Sequence, residues 1–173
     1  FEELVENYEF IKKYDFAVTK GIFSEMYSAE GTKLNDKLRE SDALEESDFI
    51  ANNNKYTIND LLVRKIYNSL KLWHKSHSEI YDMTIDPLTA PKSISEASMN
   101  SFYKYVMQLK KKDLEIFKSI LTILKEYPNA DIYEYIKKAI DNSYSEYQDI
   151  ETKVRKLYKS NDLVYNADTN PFI

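Results

Sequence analysis

"FKSILTILKEYPNADIYEYIKKAI", residues 117–140, decides the fold. Phe117, Leu121 and Leu124 recur at helical spacing on one side of it, and Ile132, Ile136 and Ile140 do so on the other. Between them, Pro128 cannot continue a helix, while Asn129 or Asp131 supplies an N-cap for the next one. So short a connection forces the two helices to lie side by side and antiparallel.

Both stripes extend well beyond this turn. Upstream, Met99, Phe102, Tyr103, Val106, Met107 and Leu114 continue the period back to Ser93, which with Glu96 has the spacing of a capping box. Downstream, Tyr147, Ile150, Val154 and Leu157 carry the second stripe to about Ser160. Two further helices precede the pair. In "FEELVENYEFIKKYDFAVTKGIFSEMY", residues 1–27, Leu4, Ile11, Val18 and Glu25 fall at heptad spacing with Tyr8, Asp15 and Ile22 between them. Gly31 marks its first stop, and "TKLNDKLRESDAL" carries more helix beyond it. "EESDFIANNNKY" has no period and reads as a loop. Thr57, with Asp60 three residues on, then opens a helix whose apolar face runs through Ile58, Leu62, Ile66, Leu70, Trp73, His77 and Ile80 or Tyr81, ending near Asp82. Pro87 and Pro91 make the segment after it a long crossover.

Four segments of about 25 to 30 residues make rods of roughly 40 Å. The expectation is an all-α protein, an up-down four-helix bundle of long amphipathic helices over residues 1–161 with an irregular tail at 162–173. The structural alternative is a three-helix bundle with a detached first helix. Composition agrees with the class. Two Gly and four Pro in 173 residues leave little material for hairpins, and 43% apolar content with 15 Tyr and 8 Phe suffices for a core. With no Cys, disulfides, thiolate metal sites and cysteine nucleophiles are excluded.

The net charge of -5 and a basic set with only three arginines, Arg39, Arg64 and Arg155, argue against a nucleic-acid partner. No stretch approaches a membrane span, "IFKSILTIL" being broken by Lys118 and Ser119. The chain opens on Phe1 instead of Met, which leaves room for an upstream segment such as a signal peptide.

Chemistry is sparse. His74 and His77 stand in "SLKLWHKSHSEIYDM", residues 69–83, as H-x-x-H. His77 lies one turn beyond Trp73 on the apolar face, and His74 about 100° round the helix, on an exposed flank. Without Cys, further metal ligands would have to be carboxylates, Asp15 or Glu25 for instance, so a hydrogen-bonded imidazole at the core edge is the simpler assignment, and a pH switch the next. No phosphate-cradling Gly-rich loop, strand-to-helix elbow or Glu-x-x-His pair is present. No catalytic, cofactor-binding or metal residue is therefore assigned, nor any small-molecule substrate. Lys110, Lys111 and Lys112 fan round their helix as a solvated surface, and Tyr133, Tyr135, Tyr144, Tyr147 and Tyr158 either border the core or line an interface.

Each stripe nevertheless contains polar residues: Asp15 and Glu25 in the first helix, Ser69, Ser76 and His77 in the second, Lys110 and Asp113 in the third, Ser143 in the fourth. If they sit at the rim, their heads reach water. If they sit inside, they form a polar core that makes the bundle marginal and able to exchange its internal contacts for outside ones, because a buried unpaired carboxylate costs several kcal/mol.

The Lys-, Asn- and Tyr-laden helices "NYEFIKKYDF", "ANNNKYTINDLL" and "DIYEYIKKAIDNSY" resemble, over the whole chain, the small helical proteins exported by malaria parasites, the sporozoite microneme proteins essential for cell traversal among them. The resemblance implies secretion from micronemes, a four-helix bundle, and a part in breaching host-cell membranes, directly or with a pore-forming protein partner. It transfers no functional residue. A static scaffold module of a larger assembly is the alternative from a different class.

Overall fold

The computed structural model describes residues 1–15, 28–29, 33–41, 53–54, 57–84 and 93–164. Their regular structure is helical apart from one two-residue antiparallel bridge. The helices are α1 (Glu2–Lys13), α2 (Lys33–Glu40), α3 (Leu61–Lys75), α4 (Ser78–Met83), α5 (Glu96–Glu126) and α6 (Ile132–Ser160). The bridge pairs β1 (Ser28–Ala29) with β2 (Asn53–Asn54), the second of these inside the stretch 45–56 expected to be loop.

The hairpin forms for the reasons its sequence gives. Tyr127, held off the helical region by the proline after it, ends α5 at φ -132 and ψ 78. Asp131 caps α6, its carboxylate accepting from the Tyr133 amide at 3.0 Å. Asp131→Ala is therefore expected to cost about 1 kcal/mol, read as a lowered urea midpoint at unchanged slope. At its far end α6 stops in a left-handed residue, Asp162 at φ 52, with the Leu163 amide returning to the Tyr158 carbonyl at 3.0 Å. Leu163 packs against the core at the start of the expected tail. The rest of the tail, 165–173, lies outside the described residues.

Two other helix starts differ from expectation by a few residues. Ser95, not Ser93, caps α5, accepting from the Ser98 amide at 3.2 Å. Asp60 itself caps α3, accepting from the Leu62 and Val63 amides at 2.9 and 3.0 Å, so Thr57 lies outside the helix. A short carboxylate reaches the amides two and three residues ahead as well as a hydroxyl does, which makes cap positions hard to assign among neighbouring candidates.

The first two rods are shorter than their periodicity suggests. α1 stops at Lys13, where Tyr14 turns extended. Val18, Ile22 and Glu25 lie outside the described residues. The expected second rod is broken: α3 ends at Lys75, and α4 begins at Ser78 with His77 at φ -129 and ψ 15 between them. Ser76 Oγ donates to the Trp73 carbonyl at 2.7 Å and the His77 amide to the His74 carbonyl at 3.0 Å, so local bonds replace helical ones at the join.

α5 and α6 pack together, α3 lies on both, α4 on α6, and α1 on α5. The shared core runs through Ile66, Leu70 and Trp73 of α3, Ile80, Tyr81 and Met83 of α4, Phe102, Leu109, Phe117, Ile120 and Leu124 of α5, and Ile136, Tyr147, Ile150 and Val154 of α6. α1 contributes Tyr8, whose ring meets the Phe117 edge at 5.8 Å.

Candidate functional site

The polar residues of the stripes divide between interior and surface. His77, Lys110, Asp113 and Ser69 are buried, Ser143 is half-buried, and Asp15 and Ser76 are exposed. Placing the last two in a polar core is thus corrected. Asp15 follows the end of α1, and Ser76 sits where α3 has already stopped, so the helical period that would turn either inward no longer applies. Glu25 lies outside the described residues. Ser69 and Ser143 spend their hydroxyls on their own helices, donating to the Lys65 carbonyl at 2.8 Å and the Ile140 carbonyl at 3.0 Å.

Lys110 overturns the expectation of a solvated lysine run. Its side chain is 3% exposed, and Nζ donates to the Tyr14 carbonyl at 2.6 Å, capping the C-terminal end of α1. Burial lowers the ammonium's proton affinity and Asp15 partly restores it. Lys111 stays exposed, and Lys112 bridges to Glu146 of α6 at 2.9 Å. A lysine stem is apolar enough to cross a seam when its head finds a carbonyl beyond it.

Asp113 is the centre of the arrangement. Only 1% exposed, it accepts on one oxygen, Oδ1, from the Trp73 indole at 2.8 Å and from the Tyr81 hydroxyl. One carboxylate of α5 thereby binds both sides of the α3/α4 break. Bonds of this kind are roughly twice as strong as neutral ones. Tyr81 is pushed well above the ordinary phenol value by burial first and by Asp113 second. Tyr147 of α6 is raised for the same two reasons. Its hydroxyl lies in the electrostatic field of Asp113 and Tyr81 but closes no well-formed hydrogen bond among the described residues.

The imidazoles face different tyrosines. His74 is half-buried, contrary to the exposed flank expected, and stacks on Tyr81 at 4.5 Å. His77 lies on Tyr147 with ring centres 3.6 Å apart and packs at a steep tilt against Trp73 at 4.8 Å. The break explains His74: once the helix stops, α4 folds its Tyr81 ring over the preceding flank. His77 Nδ1 lies 3.0 Å from the Trp73 carbonyl, which can only accept, so Nδ1 carries the proton and also meets Ser76 Oγ at 2.9 Å. Among the described residues no group of three or more His, Asp or Glu could hold a metal ion.

Around the cluster, Arg155 of α6 pairs with Glu79 of α4 and Glu151 of its own helix. Both Arg155 and Glu79 are about half exposed, so this clasp adds well under 1 kcal/mol. Of the other tyrosines, Tyr135 and Tyr158 are half-buried, and Tyr133 and Tyr144 are exposed.

The sequence singled out Asp113 and His77 but counted Trp73, Tyr81 and Tyr147 as apolar surface. Their ring atoms justify that; their N–H and O–H groups do not. A single carboxylate interrupting a stripe that faces Trp and Tyr stripes is the signal that links them. What results is a set of directional bonds joining α3, α4 and α5, with an aromatic stack adding α6. Comparison with protein families, with curated proteins and with solved structures finds no match for the chain.

Proposed function

We propose that the chain is a non-enzymatic interaction protein, an up-down bundle of four rods in which α3 and α4 together form the second. It acts in host-cell traversal as a secreted factor, exchanging internal helix contacts for contacts with a membrane or a pore-forming partner. The observation that carries this is the break at Ser76–His77, set directly over the buried Asp113 cluster. α4 is six residues long, too short to hold itself as a helix in water. Its inner face, Ile80, Tyr81 and Met83, is buried in the core. Lifting α4 at the break replaces directional bonds with bonds to water and frees an apolar face beside it. The Lys-, Asn- and Tyr-rich resemblance to exported parasite proteins supports the setting.

A static scaffold is the second reading, favoured by the donors that converge on Asp113, since polar networks of this kind rigidify a core. Vesicle flotation and dye leakage separate the two. Among the described residues no helix is long and apolar enough to cross a membrane, so attachment would come from an amphipathic face lying in the interface. The protein is acidic and gains nothing from an anionic surface. Binding to phosphatidylcholine vesicles is expected to survive a rise in ionic strength to about 0.5 M. Failure to bind neutral or anionic vesicles between about pH 5 and 7.5 would remove the membrane reading.

A further inference from the structure

We infer that the Ser76–His77 join is a proton-operated hinge: protonation of His77 drives its ring off Tyr147 and Trp73 and releases α4. The inference rests on the bundle being one that opens, and supplies what opens it.

The geometry holds His77 in its neutral form. Its side chain is 6% exposed, its ring lies on Tyr147, and Nδ1–H is already committed to the Trp73 carbonyl and Ser76 Oγ. A further proton would have to enter at Nε2, and no neighbouring carboxylate offsets the added charge. A charge on the ring is poorly solvated while it lies on Tyr147 and better solvated once it swings out. Two contacts favour the cation in place: the Trp73 carbonyl, and the Tyr147 ring face. Burial outweighs them, and the imidazole's proton affinity falls below its ordinary value, with the carbonyl opposing as the smaller influence.

The surrounding groups do not reverse that balance. Tyr81 from α4 and Tyr147 from α6 are both pushed up by burial and stay neutral at physiological pH. Asp113 from α5 holds Trp73 and Tyr81 by Oδ1. Glu79 of α4 is tied to Arg155 of α6, and Lys112 of α5 lies between Glu115 and Glu146. On α3 itself, His74 is stacked on Tyr81, on the other side of the break.

The sign follows directly. In the open form His77 takes its proton near pH 6.5, in the closed form only at lower pH, so the open form binds more protons between the two values. Closure is complete above about 6.5 and weakens as pH falls through that window, then levels off below the closed-form value. The hinge is mechanically suited to this. His77 is the N-cap residue of α4 yet its side chain makes no capping bond, so the ring can swing out without uncapping α4, whose remaining ties are its packing, the Tyr81–Asp113 bond and the Glu79–Arg155 pair.

Native-state hydrogen exchange without membranes tests the hinge. After correction for intrinsic rates, the opening constant of the hydrogen-bonded Ile80, Tyr81 and Thr84 amides is expected to rise by up to about tenfold per pH unit below 6.5, while central α5 amides stay flat. His77→Phe keeps a ring on Tyr147 and is expected to abolish the rise; His74→Gln is expected to leave it intact. Should His77→Phe fail to fold, the imidazole resonances of the wild-type chain decide, and His77 is expected to titrate below the ordinary histidine value. A flat α4 profile, a rise that persists in His77→Phe, or a closed-form His77 titrating at or above 6.5 overturns the hinge. A working hinge with no vesicle binding would leave it standing and remove the membrane function; vesicle binding with a flat α4 profile does the reverse.

Discussion

Replacing Asp113 with alanine is expected to destabilise the fold by about 3–5 kcal/mol, the middle of what two stranded buried donors cost together. The carboxylate is 1% exposed and receives the Trp73 indole and the Tyr81 hydroxyl on one oxygen. In Asp113→Ala both donors stay in the core without that acceptor, and each stranded buried donor costs about 1–3 kcal/mol. Against a total stability of about 5–15 kcal/mol, such a loss is enough to populate open forms. Asp113→Asn keeps an accepting oxygen in place but gives up the charge, so its cost should be near 1–2 kcal/mol. Urea unfolding followed by circular dichroism measures both, with the midpoint moving and the slope preserved. A loss under about 1 kcal/mol in Asp113→Ala would show that water reaches the donors and that the cluster does not hold the second rod shut.

Much of this architecture could be read from the chain before any coordinates. The hairpin of α5 and α6 was legible because Pro128 and Asp131 act locally: a proline forbids the next turn of helix and a carboxylate offers its amides a partner, whatever packs around them. The stripe of α5 was legible because its period keeps one register through 31 residues, with no Gly or Pro and with only Lys110 and Asp113 as polar members. The break between α3 and α4 was not. Trp73, His77 and Ile80 or Tyr81 keep helical spacing across it, and neither Gly nor Pro marks it. It arises from tertiary demand: Tyr81 must reach Asp113 on α5 while His77 lies on Tyr147 of α6, and a hydroxyl at Ser76 stands ready to take the Trp73 carbonyl. Lys110 and Asp113 show the same limit. Periodicity places both on the inner face, but only the partner supplied by another element, the Tyr14 carbonyl for one and Trp73 for the other, decides whether an ionic group can remain there.

Trp73→Ala should be as costly as Asp113→Ala, about 3–5 kcal/mol, because truncating a buried aromatic removes its transfer energy and leaves a cavity in a core that relaxes only in part. The indole is 1% exposed and packs against His77 at 4.8 Å and edge-on to Tyr147 at 5.7 Å. The informative quantity is the coupling between the two substitutions. If Trp73 and Asp113 acted independently, Trp73→Ala with Asp113→Ala would lose the sum of the single effects, enough to unfold a chain of ordinary stability. The two share a bond, so each single variant carries part of the same loss: one strands the indole N–H, the other deprives a buried carboxylate of a donor. The double variant removes both partners together and should be less destabilised than the sum by about 1–3 kcal/mol. Trp73 is the chain's only tryptophan, so circular dichroism and not fluorescence must follow all four members of the cycle. Additivity within about 0.5 kcal/mol would mean that the indole contributes volume alone. In that case the hydrogen bond across α3 and α5 would hold nothing closed, and the restraint on α4 would have to come from Tyr81 and His77.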